Sequence, residues 1–126
     1  MSSDLQKTLN TDFDDALGQV RDALKAQGFG VLTEIDVQDT LKQKIGAELR
    51  RYRILGACNP PFAYQAIQVD PDAGVMMPCN VVVYENDKGT VTVTAVDPTK
   101  SALATGNPQL VVLAGAVREK LAAALR

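Results

Sequence analysis

The chain has 126 residues, 46% hydrophobic and 22% charged, enough for one core and too few for two. A net charge of -2 and a pI near 5.0 speak against general affinity for nucleic-acid backbones. There is no His, no Trp and only two Cys. That removes the Ser-His-Asp and Cys-His arrangements, the commonest zinc ligand and any disulfide framework.

No apolar run reaches the ~20 residues of a spanning helix, so no membrane association is expected. The opening MSSDLQKTLNTDFDD lacks the basic and apolar regions of a secretory leader. The expected compartment is the cytoplasm, or the periplasm if a leader has been removed. Residues 1–11 read as a short edge strand (LQKTLN, 5–10) or as partly disordered.

A helix begins at Thr11 or Asp12, with Phe13, Ala16, Leu17, Val20 and Leu24 on one face and Gly28 as its stop. GVLTEI (30–35) is a strand. Asp36 caps a second helix with Val37, Leu41 and Ile45 on one stripe, weakened at its end by Gly46. Glu34 and Asp36 are read as facing opposite sides and so not as a carboxylate pair. YRILGAC (52–58) is the next strand; the charge-free face of Tyr52, Ile54, Gly56 and Cys58 is assigned to the core, and that of Arg51, Arg53, Leu55 and Ala57 to solvent. Asn59 then caps a helix opened by Pro60 and Pro61, with Ala63, Tyr64 and Ile67 packing.

Residues 70–78 form a loop marked by Pro71, Gly74 and Pro78. CNVVVYE (79–85) and TVTVTAV (90–96) flank the turn NDKG and make a hairpin, the second strand with one wet face. One or two helical turns follow from Pro98, capped by Asp97 and ended by Gly106. Asn107 and Pro108 open the last helix, whose stripe is Leu110, Leu113, Ala114, Val117, Leu121 and Leu125. Arg118, Lys120 and Arg126 lie toward its C-terminal end.

This order gives a single compact α+β domain over residues 1–126. Its sheet is mixed or mainly antiparallel, has about five strands and carries packed helices. GFG at 28–30 is a helix stop, not a nucleotide-binding fingerprint.

GFGVLTEIDVQDTLKQKIG, YRILGACNPPFAYQAI, MMPCNVVVYE and TAVDP, in this order and spacing, resemble the bacterial and archaeal family known as domain of unknown function 302. The resemblance covers about residues 12–125. It implies a curved, mainly antiparallel sheet and a homodimer, and it puts Cys58 and Cys79 on the two Cys positions of the family pattern. It implies no activity and no cofactor.

The candidate site is Cys58, Asn59, Met76, Met77, Cys79 and Asn80. Each thiol sits where a strand meets an irregular proline-bearing segment, and matching strand parity places the two close together. One reading is a pocket for a small molecule, or for a soft metal ion held by Cys58, Cys79, Met76 and Met77, since thiolates and thioethers suit Cu(I). A second is a thiol enzyme or redox protein using Cys58, whose position before a helix N-terminus favours the thiolate. A third is a structural interaction module with inert buried cysteines. Arg50, Arg51 and Arg53, near Lys42 and Lys44, are read as a solvated face or as pairing with Glu48 rather than an anion grip.

Overall fold

The computed structural model describes residues 3–126, so the first two residues of the reading for Met1–Thr11 lie outside the described residues. A 3-10 turn, Ser3–Leu5, leads into β1 (Gln6–Leu9). Then follow α1 (Phe13–Ala26), β2 (Gly30–Asp36), α2 (Val37–Ile45), β3 (Tyr52–Cys58) and α3 (Pro60–Val69). A 3-10 segment, Pro71–Met76, precedes β4 (Cys79–Glu85), β5 (Val91–Ala95), α4 (Pro98–Thr105) and α5 (Pro108–Ala124). The five strands form one sheet in the order β1-β5-β4-β3-β2, with every neighbouring pair antiparallel. No helix among the described residues is long and apolar enough to cross a membrane.

Local chemistry sets the boundaries. Asp12 caps α1 by accepting from the Asp15 N–H at 2.8 Å, and Asp36 caps α2 from Asp39 at 3.0 Å. Gly46 (φ +67°) closes α2 in the left-handed region that glycine enters at least cost. Residues 71–76, expected as loop, form the 3-10 segment, with the Asp70 carboxylate accepting from Asp72.

The main core lies between one face of the sheet and α1 with α5. Leu24, Leu55, Val81, Val83, Val93 and Leu121 are fully enclosed in it, each removing apolar surface worth about 1.5–3 kcal/mol. A smaller cluster of Ala66, Ala73, Ala102, Leu110 and Ala114 joins α3, the 3-10 segment, α4 and α5.

The expected facing of β3 is inverted. Leu55 and Ala57 are fully buried against the helices, whereas Tyr52, Ile54 and Cys58 are only partly covered. The helix-facing side therefore carries Arg51 and Arg53, and it carries them without burying a bare charge. Arg51 bonds Asp14 at 2.8 Å and lies 4.3 Å over the Phe13 ring. Arg53 pairs with Glu34 and, at 3.2 Å, with Asp36. Glu34 and Asp36 thus act on one side of their strand, as residues two apart must. Arg50 pairs with Asp87, so each arginine of the run has its own carboxylate, while Glu48 takes Lys42 at 3.8 Å.

Other packing expectations also change. In α2 nothing is buried and Ile45 is 74% exposed. Tyr64 and Ile67 of α3 point outward, and Ala66 takes the inner position. Thr92, expected on a wet face, is buried and accepts from the Asn86 side chain at 3.0 Å. Arg118 does more than complement the α5 dipole: it bonds Asp97 at 3.1 Å and Asp4 at 2.8 Å, joining α5 to the α4 cap and to the first turn.

Candidate functional site

At one end of the sheet, β3 leaves at Cys58 and β4 enters at Cys79. The segments between and after them (α3, the 3-10 segment, α4 and α5) meet at the small alanine-rich cluster without filling the space beside the strand ends. They leave a cavity of about 340 Å³. All six candidate residues, Cys58, Asn59, Met76, Met77, Cys79 and Asn80, contribute to its lining. So do residues the sequence reading did not include: Phe62, Ser101, Leu113 and Val117, with Ala66 and Ala114 behind them. Their signal was the run of alanines on α3, α4 and α5. Small side chains at inward positions leave a gap between helices where leucines would fill it. No lining residue is charged.

The two thiols do not face each other. Ala57 is the residue opposite Cys79, so Cys79 shares the core face with Ala57, Val81 and Val83. Cys58 is one residue further on, opposite Gly30, and the pleat turns it to the other face. Both are free. The expected close thiol pair is therefore corrected, and the cause is the inverted facing of β3.

Burial pushes the Cys79 thiol up to about 11, with a smaller push from Cys58. Near neutral pH it is a neutral, weakly polar group, the opposite of an activated nucleophile. Among the described residues no three His, Cys, Asp or Glu side chains gather as a metal group.

Asn59 occupies the cap position of α3 but does not cap with its side chain. Pro60 and Pro61 hold the first two positions of the helix and carry no N–H to bond. The Asn59 amide instead donates to the Gln27 carbonyl at 3.1 Å, tying α3 to the end of α1. Pro78 closes the outer side of the sheet end. A Cβ on Gly56 would lie 2.8 Å from Pro78 Cγ and closer still to Thr33 Oγ1, so glycine is required there.

No curated protein matches the chain. A solved structure described as an uncharacterized conserved DUF302 protein from Bacillus stearothermophilus is similar to it. The two are 29% identical over 95% of this chain and 93% of that one, with a TM-score of 0.88. The same α+β architecture is therefore found in that protein. The model of the family described as "Domain of unknown function DUF302" matches residues 5–126, and the chain belongs to that family.

Proposed function

We propose that this domain binds a small, uncharged, mainly apolar molecule in the cavity at the end of β3 and β4. The observation that carries the reading is the lining. It borders a half-open space of about 340 Å³, within the roughly 300–1,000 Å³ of small-molecule sites, and offers no charge to an ion. Its polar side chains are few: Asn59, Asn80, Ser101 and the Cys79 thiol. The sulfurs of Met76, Met77, Cys58 and Cys79 have the softness a Cu(I) ion requires. That reading is the weaker one, because Cys79 is held as a neutral thiol and Cys58 turns to the other face. The same two facts weigh against a redox role for Cys58 with Cys79 as its partner.

The test uses 1-octanol as probe. Titrated into labelled protein, it is expected to shift the methyl resonances of Met76 and Met77 saturably, and Ala63→Trp, which fills the cavity from α3, is expected to abolish the shift. Absence of any saturable shift in the unsubstituted protein overturns the reading.

We also propose that two copies associate through the outer face of the sheet. Support comes from Tyr52, Ile54, Val82 and Tyr84, which lie on the face away from α1 and α5 and are only partly covered, and from Ile35, 47% exposed beside Ile54.

A further inference from the structure

We infer that Asn59 is the polar anchor of the cavity, and that the ligand is an uncharged amphiphile with a hydrogen-bond donor at one end, of the chemical class of the aliphatic alcohols. The inference rests on the apolar-cavity reading above and adds the identity of the ligand's polar end.

Asn59 is 7% exposed, and only it and Thr92 stand as buried polar residues among those described. Thr92 is satisfied by Asn86. Asn59 is satisfied on one side only. Its Nδ2 donates to the Gln27 carbonyl, which also fixes which end of the amide is nitrogen, since a carbonyl oxygen accepts and cannot donate. Its Oδ1 accepts no hydrogen bond from any described residue. Of the two usual donors to a cap oxygen, the one at the second helical position is missing because Pro61 stands there, and the Phe62 N–H at the third makes no bond to the Asn59 side chain.

An acceptor sealed in the interior without a partner would cost about 1–3 kcal/mol. The described residues contain no such sealed and unpartnered side-chain atom. Oδ1 therefore keeps some open surface although its residue is nine-tenths buried, and Asn59 borders the cavity. Around it the side chains of Phe62, Ala63 and Met76 contribute apolar walls. An entering molecule gains by placing a chain against those walls and a donor against that oxygen. An anionic headgroup would meet that acceptor with no cation in the lining to offset it.

The test compares 1-octanol with heptyl methyl ether, which has the same number of heavy atoms and no donor. Unsubstituted protein is expected to bind the alcohol about three- to tenfold more tightly, the range a single net hydrogen bond supplies. The Asn59 side-chain carbonyl carbon is expected to shift with the alcohol and not with the ether. Asn59→Asp keeps the acceptor and should keep the preference. Asn59→Leu should bind both probes equally. Equal binding of alcohol and ether by the unsubstituted protein overturns the assignment, whether or not either variant folds, as does an alcohol preference that survives in Asn59→Leu. Failure of both probes to bind overturns the cavity reading itself, a result distinct from equal binding.

Discussion

Ala57 of β3 and Cys79 of β4 stand opposite each other in the antiparallel ladder. This pairing fixes the face of every residue at the sheet end. It places Cys79 under the helices, turns Cys58 outward, and makes the cavity floor a neutral thiol rather than a dithiol.

Cys79 is expected to react slowly. Its thiol stays protonated far above neutrality because the thiolate would be poorly solvated. Titration with a chromogenic disulfide at pH 8 should show Cys79 silent on the time scale of an exposed thiol and released on unfolding. Fast reaction of Cys79 in the folded protein would show that its burial is not maintained. The stability consequence has a definite sign. The folded protein holds this proton to about 11 while the unfolded chain releases it near 9. Stability is therefore unaffected below pH 9 and falls between pH 9 and 11, by about 2–3 kcal/mol at most. Cys79→Ala should remove that part of the alkaline loss.

Gly56→Ala is expected to destabilise by about 1–3 kcal/mol, the usual range for overpacking a tight site. The added carbon meets Thr33 on one side and Pro78 on the other. Thr33→Ala removes the nearer obstacle, so the double variant should recover part of the loss. Chemical denaturation measures both. A fully tolerated Gly56→Ala would mean that the Pro78 segment is free to move off the sheet.

Arg118 fastens α4, which forms one wall of the cavity, to α5. Burial alone would raise the Asp97 carboxyl, but bonds from Thr99 and Arg118 outweigh it and hold it below its usual value. The stabilisation is present above the ordinary carboxylate range and is lost as pH falls below it. Asp97→Asn, which keeps a cap acceptor and removes the charge facing Arg118, is expected to cost about 0.2–1 kcal/mol at pH 7. The cost should begin to shrink below pH 4, where the unfolded chain takes up the proton ahead of the folded carboxyl. An equal cost at pH 7 and pH 3 would show that the carboxylate charge contributes nothing.

Element boundaries were legible because they are written locally, in Asp12, Asp36, Asp97 and Asn107 as caps and in proline and glycine at the stops. The facing of β3 was not. Charge on Arg51 and Arg53 marked their side as wet, yet Asp14, Glu34, Asp36 and the Phe13 ring satisfy both residues beneath the helices. Those partners lie 17 to 38 positions away in sequence, and nothing local reveals them. Of the site, the strand-end half was legible from the proline-flanked cysteines and methionines. The half from α4 and α5 depends on helices returning from the far end of the chain.

The outer face of the sheet leads to the last prediction. Tyr52 and Tyr84 stack at 5.3 Å, nearly parallel, and Ile54 and Val82 continue the same surface toward Ile35. α1 and α5 cover the other face, and α2 reaches only the β2 and β3 side. Apolar and aromatic groups gathered on an open sheet face favour association, and a second copy offers a matching surface through a two-fold axis. Sedimentation at micromolar concentration should give twice the 13.5 kDa chain mass. Replacing Val82 and Tyr84 together by lysine should weaken association at least thirtyfold, the effect of losing about 2 kcal/mol at a buried aromatic anchor. The helix-covered core should stay intact, because neither side chain reaches it. A monomer mass for the unsubstituted protein overturns the association. A dimer unaffected by both lysines places the interface on another surface, such as the exposed edge of β2.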